Sequence, residues 1–127
     1  MQKHVLIVED SPVMREMLIL AFRSRPSVDI DQAGDGMAGI QALRSASRPY
    51  DLILLDLNMP VMDGMKFLHF LASEPNAKGA VVAVVTTENS AHTEAQARSL
   101  GAQFYLRKPV TRRDVEAVLA AVIGEDD

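Results

Sequence analysis

Three short, uninterrupted apolar runs, Val5–Val8, Leu52–Leu55 and Ala80–Val85, constrain this chain more than anything else in it. Each stops abruptly at polar residues: Glu9-Asp10 after the first, Asp56 after the second, Thr86-Thr87-Glu88-Asn89 after the third. Runs this short, bounded by turn residues and rich in branched side chains, read as strands buried on both faces. A strand of that kind needs a layer on each side of its sheet, so helices must lie between the runs.

The intervening sequence supplies those helices. Ser11-Pro12 offers an N-cap followed by a first-turn proline, and Met14, Met17, Leu18, Ala21 and Phe22 recur at helical spacing to about Ser24, before Arg25-Pro26. Val28–Ala33 alternates in polarity, the mark of a strand with one wet face or at a sheet edge. Gly34-Asp35-Gly36 turns the chain into a helix carrying Met37, Ala38, Ile40, Ala42 and Leu43 and ending near Ser47. Met65, Phe67, Leu68, Phe70 and Leu71 trace a third helix, and Pro75 and Gly79 bracket the next loop. Ser90–Leu100 reads as a fourth helix with a thin apolar stripe of Ala91, Ala95 and Leu100, a weakly packed element ended by Gly101. Gln103–Arg107 is a short fifth strand, and Val115, Val118, Leu119, Val122 and Ile123 form one face of a last helix. The result is an α/β chain with a βα unit repeated five times: a doubly wound, three-layer, flavodoxin-like fold with a parallel sheet. The continuous runs belong at its centre and the other two strands at its edges, consistent with the order 2-1-3-4-5.

Length and charge narrow the function. The 127 residues fit one domain, expected to span 1–127 with no output domain after it, because Gly124–Asp127 is only a polar end. There is no cysteine, which excludes disulfides and thiolate metal sites. No run approaches the ~20 apolar residues of a membrane span, and Met1–His4 passes straight into a strand, unlike a secretory signal. A net charge of −4 without a basic block argues against direct nucleic-acid binding.

The chemistry gathers at one rim. In an open parallel sheet the loops beyond the strands' C-terminal ends share the ligand crevice. Glu9 and Asp10, Asp56, Thr86 and Lys108 all fall there, from four different strands. Singly, Asp10 reads more simply as a turn residue, Thr86 as a cap and Lys108 as a solvated charge; together they are hard to attribute to capping. Crowded carboxylates raise one another's pKa or recruit a cation. With oxygen ligands alone the fitting ion is hard: Mg²⁺, with Mn²⁺ or Ca²⁺ as substitutes. Such a pocket accepts a phosphoryl group, with Lys108 as a point charge and the Thr86 hydroxyl as a donor.

Glu9-Asp10, Asp56, Met59-Pro60-x-Met62-Asp63-Gly64, Thr86 and Lys108-Pro109, in this order and on these elements, resemble the receiver domain of two-component response regulators of the CheY-like, single-domain type. Receivers are themselves an example of the 2-1-3-4-5 order. The resemblance covers essentially the whole chain. It implies that Asp56 is phosphorylated by a histidine kinase or a histidine phosphotransfer protein. Asp10, Asp56 and the Asn58 carbonyl would ligate Mg²⁺, for which Mn²⁺ substitutes, with Glu9 acting through a water. Lys108 would contact the phosphoryl oxygens; the family usually has a cis peptide at the position of Lys108–Pro109, which the sequence itself does not show. Thr86 and Tyr105 would form a switch that changes the face made by the fourth helix, fifth strand and fifth helix. Asn58 and Glu88 would tune dephosphorylation. Two residues depart from the usual pattern: Thr87 is bulkier than the common Ala or Gly, and Val110 replaces a larger residue.

The expected function is thus a phosphorylation-controlled, cytoplasmic signalling switch acting on a downstream protein. It would be a monomer or a phosphorylation-linked dimer, catalysing only its own phosphorylation and dephosphorylation. A receiver excised from a larger regulator or hybrid kinase is the alternative. A flavin- or nucleotide-binding protein of the same topology would want an anion-welcoming first loop, where Glu9-Asp10 stands instead. An Asp-nucleophile phosphatase would need a cap insertion longer than any loop here.

Overall fold

The computed structural model describes residues 3–23, 28–59, 62–87 and 90–122. Five strands and five helices alternate along it: β1 (Lys3–Val8), α1 (Pro12–Arg23), β2 (Val28–Ala33), α2 (Gly36–Ser45), β3 (Leu52–Asp56), α3 (Gly64–Leu71), β4 (Val81–Thr86), α4 (Ala91–Ser99), β5 (Phe104–Arg107) and α5 (Arg112–Val122). All strand pairs are parallel, in the order β2-β1-β3-β4-β5. The apolar runs are the three central strands, and the alternating or short ones lie at the edges, as their side-chain patterns require.

The alternation of β3 shows how the core is divided. Ile53 and Leu55 enter one cluster with Leu6, Val8, Leu43, Phe67 and Val84, under α2, α3 and α4. Leu52 and Leu54 enter the other with Val5, Ile7, Phe22, Val85 and Val118, under α1 and α5. Every residue of β3 is buried, Asp56 included.

The helix starts obey local capping chemistry. Asp35 accepts from the Ala38 N–H, Asp63 from Lys66 and Ser90 from Thr93. Gly64 is required by close approach: a Cβ there would come within 2.5 Å of Leu57 Cα and 2.7 Å of the Asp56 carbonyl oxygen.

Two expected helix faces are corrected. α1 turns Leu18, Ile19 and Phe22 inward, while Met17 is 55% exposed. Val13, Met14, Met17 and Leu18 to Phe22 are all apolar, so periodicity does not say which side faces the sheet; the crossover from β1 does. In α4 the buried residue is Ala97, while Ala91 and Ala95 are exposed. Ala97 is the position whose small side chain lets the helix lie close to the sheet. Element ends also move by a residue or two: β4 runs through Thr86, α2 stops at Ser45 and β3 includes Asp56.

Candidate functional site

The strands deliver the rim residues side by side. β1 ends at Val8 beside Leu55 of β3, so Glu9 leaves the sheet next to Asp56. Asp56 pairs with Val85 of β4, and Thr86 pairs with Arg107 of β5, immediately before Lys108. The Lys108 N–H donates to the Thr86 carbonyl at 2.9 Å, which fixes where the lysine departs. The Lys108–Pro109 peptide is cis.

The side chains converge. Glu9, Asp10 and Asp56 each bring a carboxylate oxygen within 4.8 Å of the others. The Lys108 ammonium lies 3.0 Å from Glu9 Oε1 and 3.5 Å from Asp56 Oδ2. Glu9 and Asp56 are 1% and 2% exposed, and Asp10 is the more open of the three carboxylates. Asp56 Oδ1 accepts the Asn58 N–H at 3.0 Å, and Glu9 Oε2 accepts the Ser11 N–H at 3.2 Å. Glu9 Oε1 has the lysine's charge beside it but no aligned hydrogen bond, although it is fully buried. A carboxylate oxygen left that way is costly unless a cation completes it.

Burial pushes the Asp56 carboxyl up from 3.8 to about 7. The Asn58 N–H opposes that rise, the neighbouring Glu9 charge adds to it, and Lys108 pulls it down. The oxygen donor set, dense in negative charge and only partly offset by one ammonium, suits a small hard divalent cation.

Thr86 is fully buried at the end of β4. The Asn58 amide donates to its hydroxyl at 3.4 Å and to that of Thr87 at 3.2 Å, joining the loops after β3 and β4. Thr87 thus takes part through its hydroxyl. Tyr105 is half-buried against the cluster under α2, α3 and α4, on the strand next to Thr86. Val110 packs against the opposite cluster. Glu88 lies outside the described residues.

One residue at the site was missed in the sequence. Arg15, in the first turns of α1, donates from Nη1 to the Glu9 carbonyl oxygen at 2.8 Å. The only sequence signal was a cation soon after the acidic pair, and that is an ordinary helix-surface feature.

Comparison with known proteins points to one family. The family model for the response regulator receiver domain matches residues 5–120. A probable chemotaxis protein CheY of Rhizobium etli is 35% identical, the match covering 94% of this chain and 92% of that one. A group 2 operon protein-glutamate methylesterase/protein-glutamine glutaminase of Rhodospirillum centenum is 34% identical over 87% of this chain but only 28% of its own length. The crystal structure of the phosphorylated cyanobacterial phytochrome response regulator RcpA superposes with a TM-score of 0.85 at 27% identity, covering 97% of this chain and 95% of that one.

Proposed function

The chain belongs to the response regulator receiver domains, of CheY-like fold, and from that premise we propose that Asp56 accepts a phosphoryl group from a phosphohistidine on a histidine kinase or histidine phosphotransfer protein. The carrying observation is a buried carboxylate at the end of the central strand, 3.5 Å from an ammonium and raised to about 7. In the transfer an Asp56 oxygen bonds to phosphorus, the P–N bond breaks, and its electron pair returns to the donor imidazole. Phosphoryl transfer is mainly positioning and charge stabilisation. Lys108 supplies a point charge to the phosphoryl oxygens, exchanging its present contact with Asp56 for one with them. The Thr86 hydroxyl leaves the Asn58 amide to donate to the same group.

The residues fit Mg²⁺, or Mn²⁺ in its place: Asp10, Asp56 and the Asn58 carbonyl would hold it, with Glu9 acting through a water. When bound, the cation neutralises charge that builds on the transferring group.

Thr86 and Tyr105 then work as a two-state relay. Withdrawal of Thr86 opens space for Tyr105, and the face formed by α4, β5 and α5 changes its affinity for a downstream protein. The sparse packing of α4 supports this reading. Asn58 and Glu88 tune the lifetime of the acyl phosphate, and catalysis is limited to the chain's own phosphorylation and dephosphorylation. Among the described residues no helix is long and apolar enough to cross a membrane. A cytoplasmic location, a protein rather than nucleic-acid target, and a monomer or phosphorylation-linked dimer complete the proposal.

Incubation with Mg²⁺ and acetyl phosphate tests it. One base-labile phosphoryl adduct is expected on Asp56, lost in Asp56→Ala and on chelation of the metal. BeF₃⁻ is expected to shift backbone amides near Thr86 and Tyr105. A wild-type chain that forms no adduct and shows no spectral response overturns the reading.

A further inference from the structure

Glu9 is held at more points than a residue of its side-chain chemistry requires. Its N–H donates to the Ala33 carbonyl of β2 at 3.0 Å, and its carbonyl accepts from Arg15 Nη1 at 2.8 Å. Arg15 is anchored in turn, its Nε donating to Gln32 Oε1 at 2.9 Å, and Gln32 pairs with Ile7 of β1. A Cβ on Gly34 would come to 3.4 Å of Nη1, so the chain after β2 runs against the guanidinium. One half-buried side chain from α1 therefore ties the end of β1 to the end of β2.

The atom it grips matters. The Glu9 carbonyl and the Asp10 N–H belong to one rigid peptide plane. Fixing that carbonyl fixes the direction in which the chain enters Asp10, the most open carboxylate of the cluster. A forked guanidinium reaches Gln32 and the carbonyl from two separate nitrogens, whereas an ammonium must reach both from one.

We propose that Arg15 is a positioning residue for the divalent-cation site: through the Glu9 carbonyl it presets the peptide that aims Asp10 at Glu9 and Asp56. This rests on the reading of that cluster as a cation site.

Sign separates positioning from plain electrostatics. A guanidinium beside an acidic site repels a cation, so by Coulomb's law alone its removal tightens binding. Positioning demands the reverse. The test is calorimetric titration of the full chain with Mg²⁺ and with Mn²⁺ at pH 8, for wild type, Arg15→Gln and Arg15→Lys. It is run at a temperature where amide spectra show each variant folded, alongside metal-free unfolding curves. The expected result is about tenfold weaker binding for Arg15→Gln, the size of effect seen when a supporting partner of a ligand is lost, with partial recovery in Arg15→Lys. Equal or tighter binding by Arg15→Gln overturns the proposal. So does unchanged affinity beside a lowered unfolding midpoint, which would make Arg15 a structural tie alone. If Arg15→Gln fails to fold, Arg15→Lys decides, since it keeps the charge and loses the fork: weaker binding supports the proposal and wild-type affinity overturns it. A wild type that binds neither ion removes the cation-site reading itself, and this inference with it.

Discussion

Asp56 is a carboxylate kept at odds with its surroundings, and this has measurable consequences. Its folded-state value of about 7 stands above the ordinary 3.8. Below the lower value both folded and unfolded states hold the proton. Between the two, the unfolded chain has released it and the folded chain has not, so stability falls as pH rises and levels off above about 7. Urea titrations of the metal-free protein are therefore expected to show lower midpoints at pH 8 than at pH 5, with Asp56→Asn removing much of that difference. An unchanged slope in Asp56→Asn would place the effect elsewhere. Cation binding competes with the same proton, so Mg²⁺ is expected to stabilise the chain more at pH 8 than at pH 5. At a concentration ten times its Kd the gain is about 1.4 kcal/mol. The positions of Glu9, Asp56, Thr86 and Lys108 were legible because each directly follows a strand run, and that of Asp10 because it comes next after Glu9. Arg15 was not: its contact is with a backbone carbonyl, and reaching it depends on how α1 lies against β1 and β2.

The helices differ in how firmly they are held. α3 begins at Gly64, under which the Asp56–Leu57 backbone passes too closely for any side chain. Gly64→Ala is expected to cost about 1–3 kcal/mol through overpacking and to displace the chain beside Asp56, lowering adduct formation with acetyl phosphate as well. Stability lost with adduct formation intact would show that the loop absorbs the methyl group. α4 sits at the other extreme, burying only Ala97 of its own residues, while α1 buries Leu18, Ile19 and Phe22. Native-state hydrogen exchange is expected to be faster across α4 than across α1. Equal protection would remove the support that loose packing gives to a movable partner face. The polar composition of Ser90–Leu100 made that weakness readable in advance. Its buried position was not, because three alanines on one short helix are indistinguishable until the helix is laid against the sheet.

Across the whole molecule, β3 joins two cores. Ile53 belongs to the cluster under α2, α3 and α4, and Leu54 to the one under α1 and α5. Both are at most 1% exposed. Ile53→Ala and Leu54→Ala are each expected to cost about 2–5 kcal/mol. The double variant should be close to the sum, since the side chains point to opposite faces and share few neighbours. A small loss for one of them would mean that its layer contributes little to stability.

The sequence by itself determined the alternation of strands and helices, which three strands are central and which two lie at the edges, and the placement of the acidic and basic residues on a single rim. These follow from local patterns: short apolar runs, their polar stops, and the rule that parallel strands end on one side. Tertiary structure alone decided which side of α1 and α4 is buried, that Glu9 Oε1 is enclosed beside Lys108, that the Asn58 amide bridges Thr86 and Thr87, and that Arg15 holds the Glu9 carbonyl. Each of these depends on the relative placement of elements distant in sequence, set by packing across the layers, and no local pattern encodes it.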